Sequence, residues 1–253
     1  MEDLPAAAAV ICAAGASLRM GGVKKEYQKF KNHPESFTVL GAVYSAFAKV
    51  SSIKVIVIAI NENTETAAQE ALPKGCLELQ KPKVLFVTGG NTRRASVYNA
   101  LSVLKEYNPP YVLIHDGARP WISSSLIENV LRASQKYNAA IPLLPVTETP
   151  KETDAPLPET GTLEPVFITR HLKRANTGVA QTPQGFKYPE ILNAHEKAAL
   201  VDEEFTDDAE IWGRFCGTVA AIQGEPENKK ITFAEDLYRI IPSKSRVISN
   251  LHG

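Results

Sequence analysis

With 253 residues, 44% of them hydrophobic and 22% charged, the chain has the size and mix of one folded α/β domain that needs no disulfide or structural metal for its core. Its 28 basic and 28 acidic residues cancel, so the overall charge gives no reason to bind nucleic acid or an anionic membrane, and any anion site must be local. Cys12, Cys76 and Cys216 form no CxxC pair and the five histidines lack metal-ligand spacing, so zinc chemistry is not expected.

The chain opens Met1-Glu2-Asp3-Leu4-Pro5, without a basic leader or cleavage pattern, and no later segment has the length of an uncharged membrane span. A cytoplasmic protein is the expectation. Short apolar runs follow at 6–12, 53–60, 83–88, 111–115, 139–145 and 218–222. Several are continuous rather than alternating, as in strands covered on both faces. Helical patterns occupy 37–50, 62–72, 94–107, 123–137 and 188–200. This alternation predicts an α/β fold with a doubly wound, mainly parallel, Rossmann-like sheet and ligands at the carboxyl ends of its strands. One stretch breaks the rhythm: 147–186 is rich in Pro, Thr and charge, with short β-like pieces, and is too long for a simple connection. It reads as a protruding β-arm on a single domain spanning 1–253, reaching toward a second subunit; a plain surface loop is the alternative.

The first strand runs into Val10-Ile11-Cys12-Ala13-Ala14-Gly15-Ala16-Ser17-Leu18-Arg19-Met20-Gly21-Gly22. Small residues let backbone N–H groups come close to phosphate oxygens. The loop is neither GxGxxG nor GxxxxGK[ST], which argues against a dinucleotide fingerprint and a P-loop. Arg19 and Lys25 add two cations of the kind a triphosphate needs as charge moves onto departing pyrophosphate. A strand-to-helix turn with exposed basic residues is the plainer reading.

Further along, Gly89-Gly90 precedes a helix whose first turn carries Ser96; the turn could read a base or ribose edge, or merely start the helix. Asp116 follows the strand Tyr111-Val112-Leu113-Ile114, where α/β enzymes place their chemistry. It is a candidate magnesium ligand or receiver of substrate hydroxyls, and Arg119 a candidate phosphate binder. The structural alternative is an Asp–Arg pair that braces the loop. Thr206-Asp207-Asp208-Ala209 reads as a helix start with Thr206 as its cap. On bare sequence, Lys230 is a surface lysine.

The small-residue loop with Arg19-Met20-Gly21 and then Lys25-Glu26-Tyr27 is one of six segments that occur in a recognisable order. The others are Gly89-Gly90-Asn91-Thr92-Arg93-Arg94-Ala95-Ser96-Val97, His115-Asp116-Gly117-Ala118-Arg119-Pro120, Gln181-Thr182-Pro183-Gln184, Thr206-Asp207-Asp208-Ala209, and Asn228-Lys229-Lys230-Ile231-Thr232 ahead of Glu235-Asp236-Leu237. Together they resemble the 2-C-methyl-D-erythritol 4-phosphate cytidylyltransferase family of nucleotidyltransferases. The resemblance implies transfer of CMP from CTP to a sugar-alcohol phosphate with release of pyrophosphate, in isoprenoid precursor synthesis. It implies that Ala13, Ala14, Gly15, Gly89, Gly90, Ser96, Asp116 and Ala118 bind CTP. Arg19 and Lys25 would serve the α-phosphorus and the leaving group, while Lys230 and a partner-borne Arg174 place the attacking phosphate. Asp116, Arg119, Thr149, Thr182 and Thr206 would complete the substrate site. Mg²⁺ or another divalent cation, held mainly through the CTP phosphates, and a homodimer with exchanged arms are further implications.

The match has departures: Ser17 replaces a usual glycine, Lys24 a proline, Gly117 an alanine and Glu148 an aspartate, and 29–40 replaces a short Gly-containing turn. The arm cation is read as Arg174, with Arg170, His171 and Lys173 close in sequence. A ribitol 5-phosphate cytidylyltransferase shares the motifs and is the nearest rival. A non-catalytic nucleotide-binding dimer would have no need of Arg19, Lys25, Asp116 and Lys230 at those separated places, and a dehydrogenase lacks its glycine fingerprint.

Overall fold

Six apolar runs become strands almost where the sequence puts them: β1 (Ala7–Cys12), β2 (Ile53–Ile60), β3 (Lys83–Thr88), β4 (Tyr111–Asp116), β5 (Ala139–Pro145) and, on the edge, β10 (Ala220–Gln223). The computed structural model describes residues 4–15, 24–30, 37–79, 81–158 and 161–238. Arg19, Ser17 and residues 31–36 of the divergent turn lie outside the described residues. The helical patterns form α1 (Val39–Ala48), α2 (Glu65–Glu70), α4 (Arg93–Val103), α5 (Ser124–Tyr137) and α6 (Tyr188–Ala198), the expected helix start at 206–209 opens α7 (Asp208–Phe215), and the structure adds short α3 (Cys76–Leu79).

The main sheet has eight strands, in the order β10-β5-β9-β4-β1-β2-β3, where β9 is Gln184–Lys187, with β8 (Gly178–Ala180) paired to β5. Neighbours from β3 through β2 and β1 to β4 are parallel, as are β10 and β5. Along β1 the side chains alternate between two cores. Ala7, Ala9 and Ile11 pack with Leu40 and Phe47 of α1 and Ile127 and Leu131 of α5. Ala8 and Val10 pack on the other face with Val97 and Leu101 of α4, Ile191 of α6 and Trp212 of α7. Both faces are thus covered, and each fully buried aliphatic side chain contributes about 1.5–3 kcal/mol of hydrophobic stabilisation.

Helix ends follow local chemistry. Ser123 caps α5 by accepting from Leu126 N–H, and Asn138 ends that helix in a left-handed conformation (φ 67°). Between them Leu126, Ile127, Val130 and Leu131 repeat at helical spacing and turn inward. Thr38 and Thr92 cap α1 and α4 in the same way as Ser123 caps α5. At α7 the cap is Asp207, which accepts from Glu210 N–H at 2.9 Å, and not Thr206 as the sequence suggested. Thr206 stands one residue outside, its N–H and hydroxyl both donating to Glu210 at 2.7 and 2.8 Å. The reason is reciprocal: the shorter Asp207 carboxylate reaches the third helical N–H while Glu210 turns back to the residue ahead.

The 147–186 stretch divides in two. β6 (Lys151–Thr153) and β7 (Ile168–His171) form a separate two-stranded antiparallel sheet, largely exposed, as expected of an arm. β8 and β9 (Gln184–Lys187) instead rejoin the main sheet, and β9 runs antiparallel between β4 and β5. Only Phe186 of β9 carries a large apolar side chain, so no hydrophobic run announces this strand. That ring is fully buried and stacks on Trp212 of α7 at 5.6 Å between centroids. Phe186→Ala is expected to lower unfolding stability by about 3–5 kcal/mol through lost transfer energy and a cavity, read from the urea midpoint at unchanged slope.

Candidate active site

Chain order along the sheet reverses at β1: the chain moves outward to β2 and β3, then returns to place β4 on the other side of β1. At such a switch point the carboxyl ends of neighbouring parallel strands open a crevice. Cys12 and Asp116, the last residues of β1 and β4, are register partners there. The turn after β4 stays against β1 because Gly117 N–H donates to the Cys12 carbonyl at 2.9 Å. A Cβ on Gly117 would meet that oxygen at 2.8 Å, so the alanine usual in the resembled family would force this turn to shift.

The crevice holds a cleft of about 490 Å³. Ala14 and Gly15 line it from the β1 loop, Gly90 and Ser96 from the α4 start, Asp116 and Ala118 from the β4 turn, and Lys25 and Lys230 from distant segments. Ala13 is fully buried behind the loop. Gly89 backs the wall, where a Cβ would come within 2.5 Å of Ala14 Cβ and 2.8 Å of Ser96 Oγ. Only glycine lets the two loops meet. Ser96 is 5% exposed; its hydroxyl accepts from Gly90 N–H at 3.0 Å and donates to Thr92 C=O at 2.9 Å. It is thus both part of the helix start and part of the cleft wall, so the two sequence readings of Ser96 are compatible.

Asp116 is the electrostatic centre. Lys230 Nζ lies 3.0 Å and Arg119 Nε 3.3 Å from Oδ2, and Arg93 Nε lies 3.7 Å from Oδ1. Burial acts to raise the carboxyl, but Lys230, Arg93 and Arg119 outweigh it and hold the group well below the usual carboxylate range. The Asp–Arg brace considered from sequence is therefore present, within a larger cluster. The C-terminal segment is stitched onto this turn: Arg119 Nη1 donates to Asn228 C=O at 2.9 Å, Ile231 N–H to Ala118 C=O at 2.8 Å, and Lys25 Nζ to Ile231 C=O at 3.1 Å. Cys12 also lines the cleft, and burial pushes its thiol up to about 12, so it is a neutral wall rather than a nucleophile.

Other expected residues lie elsewhere. Thr182 is buried directly behind Asp116, where its hydroxyl accepts from Asp116 N–H at 3.1 Å. Arg174, in the short turn Arg174–Asn176 after β7, donates from Nη1 to Thr147 C=O at 3.0 Å, and Thr149 is exposed nearby in sequence. Neither belongs to the cleft wall, and nor does Thr206, exposed ahead of α7. Sequence reasoning passed over Arg93, Glu26, Asn61, Asn91 and Thr92, all of which line the cleft. Arg93 carried a signal: it is the first residue of α4, where the helix dipole disfavours a cation, so another partner must hold it.

His115 fixes the turn from beneath. Its Nε2 lies 3.1 Å from the Arg119 carbonyl, which can only accept, so Nε2 carries the proton. Nδ1 then accepts the Thr182 hydroxyl at 3.0 Å, leaving that hydroxyl's oxygen to accept from Asp116 N–H. Burial, helped by the Arg119 charge, keeps the imidazole neutral, its pKa lowered to about 4, and the ring packs against Phe47 at 5.1 Å between centroids. Because the folded value lies below the unfolded 6.5, the unfolded chain takes up this proton first as pH falls. Stability from this group is complete above about pH 6.5 and declines toward pH 4, by up to about 3 kcal/mol. Unfolding midpoints from pH 8 to 4 are expected to fall across that window, and His115→Gln is expected to flatten the fall.

The arrangement agrees with what the chain is similar to. The sequence profile of the 2-C-methyl-D-erythritol 4-phosphate cytidylyltransferase family matches residues 7–240. A Bacillus mycoides (strain KBAB4) protein named 2-C-methyl-D-erythritol 4-phosphate cytidylyltransferase is 35% identical over 228 residues, 90% of this chain and 93% of that protein. A Bradyrhizobium sp. (strain ORS 278) protein named bifunctional enzyme IspD/IspF is 37% identical over 236 residues, and the match spans only 55% of its length. Among solved structures, 4-diphosphocytidyl-2C-methyl-D-erythritol synthase from Anaerococcus prevotii superposes with a TM-score of 0.74 at 26% identity, covering 92% of this chain and 93% of that one. The 2-C-methyl-D-erythritol 4-phosphate cytidylyltransferase of Thermus thermophilus gives 0.69 at 30% identity, covering 92% and 95%. The chain belongs to the 2-C-methyl-D-erythritol 4-phosphate cytidylyltransferase family.

Proposed function

We propose that the chain joins CTP and 2-C-methyl-D-erythritol 4-phosphate to give 4-diphosphocytidyl-2-C-methyl-D-erythritol and pyrophosphate. One observation carries this reading: a cleft at the β1/β4 switch point gathers Lys25, Arg93 and Lys230 around a small-residue loop and the ionised Asp116. A phosphate-monoester oxygen attacks the α-phosphorus, forming the new P–O bond as the bond to the β-phosphate oxygen breaks and pyrophosphate leaves. The nucleophile is already anionic near neutral pH, so no general base is required. The work is to hold two repelling anions in line and to stabilise charge on the departing phosphates. In this reading Ala14, Gly15, Gly90 and Ser96 seat the nucleotide, Lys25 and Arg19 meet the phosphates, and Lys230 leaves Asp116 to take the incoming phosphate.

Magnesium fits this set in a limited way. No group of three or more His, Cys, Asp or Glu side chains among the described residues could hold a metal by itself. Asp116 Oδ2 is taken by Arg119 and Lys230, whereas Oδ1 faces Arg93 at the longer distance of 3.7 Å. One carboxylate oxygen completed by phosphate oxygens and water suits the octahedral preference of Mg²⁺. When bound, the ion would neutralise charge on the triphosphate.

A homodimer with exchanged arms completes the proposal. Arg174 and Thr149 stand outside the cleft wall on the arm side of this chain, where they could serve a neighbouring copy. Leu157, Leu163, Phe167 and Ile168 of the arm segment are exposed at 76, 98, 67 and 53%, apolar surface that a second copy would cover.

The test offers purified protein Mg²⁺, CTP and either 2-C-methyl-D-erythritol 4-phosphate or ribitol 5-phosphate, and follows pyrophosphate release. Release with the first alone is expected. Release with ribitol 5-phosphate alone would keep the chemistry and change the substrate, and none with either would overturn both. Lys25→Ala is expected to lower kcat by about two orders of magnitude, the scale seen when a charge stabiliser is removed.

A further inference from the structure

Asp208 has no role in the reaction as described, yet it is a fully buried carboxylate on the first residue of α7. The cap of that helix is Asp207, so Asp208 is not needed for it. Its oxygens face Arg93 Nη1 at 2.8 Å and, from α6, His195 Nε2 at 3.2 Å. Burial acts to raise this carboxyl, and Arg93 and His195 outweigh it and keep it low. Arg93 is one-third exposed, lines the cleft, and sits at the start of α4 against the helix dipole. Its other nitrogen, Nε, lies 3.7 Å from Asp116 Oδ1.

We propose that Arg93 is a positioning residue whose guanidinium ties Asp116, at the end of β4, to Asp208, at the start of α7. The tie holds Asp116 in place when Lys230 leaves its Oδ2 for the incoming phosphate, and so acts on the acceptor phosphate rather than on the nucleotide. A guanidinium can span two carboxylates with separate N–H groups, whereas an ammonium is a single point charge and serves one. The nucleotide wall is held by hydrogen bonds that do not involve Asp208: Gly89 N–H to Ile60 C=O, and Ser96 to Gly90 and Thr92. This inference rests on the cytidylyltransferase reading.

The experiment uses the full chain with Arg93→Lys and Asp208→Asn. Calorimetry measures the CTP dissociation constant, and pyrophosphate release gives KM for the acceptor and kcat. Both variants are expected to raise the acceptor KM at least about tenfold, equivalent to about 1.4 kcal/mol, while the CTP constant moves less than about threefold. Equal weakening of both substrates, no change in either, or failure of both variants to fold would overturn the proposal. Should one variant fail to fold, the other decides by the same split. Lack of turnover by the unaltered chain would instead remove the functional reading, and this inference with it.

Discussion

Asp116 is a carboxylate at the end of a central strand, and three cations from three parts of the chain converge on it: Arg93 from α4, Arg119 from its own turn, and Lys230 from the C-terminal segment. Taking such charges out of water costs several kcal/mol per ion, so the cluster is weak evidence of stabilisation by itself. Its effect is one of arrangement. Cations that would otherwise repel one another are held around one anion at the mouth of the cleft, where in the proposed function phosphates take over the pairing.

The rest of the architecture serves that point. β1 opens with three alanines before Val10 and Ile11, so helices pack closely on both faces, and its loop emerges beside β4. β9 lies on the far side of β4, and the Thr182 that precedes it passes under Asp116 to meet both its backbone and His115. Asn228 ties the C-terminal segment to the same place, its side chain donating to Thr182 C=O at 2.7 Å while its carbonyl accepts from Arg119. Displacing any one of these elements would move the Asp116 turn, which accounts for how much buried polar chemistry collects behind a small cleft.

Much of this was legible in the sequence. The apolar runs gave β2, β3 and β5 to the residue, and β2, parallel to both neighbours and buried along nearly its whole length, shows why: such a strand needs unbroken hydrophobicity. The glycines, Ser96, Asp116 and Lys230 were found because motif order placed them, and the structure brings all of them to the crevice. What escaped was chemistry without a periodic signal. β9 has a single large apolar residue and takes its pairing from both neighbours, so it looked like part of the arm. Asp207 displaced Thr206 as the helix cap because adjacent polar residues compete for one role and only geometry ranks them. Arg93 was hidden in a quoted motif, its importance set by two carboxylates far away in sequence.

The most direct test of the account is turnover of Asp116→Asn, a change that keeps shape and removes the central charge. With CTP and acceptor saturating, pyrophosphate release is expected to fall at least about a hundredfold, as for loss of a main electrostatic element, in protein that remains folded. Turnover within about threefold of the unaltered chain would contradict the claim that this carboxylate organises the site.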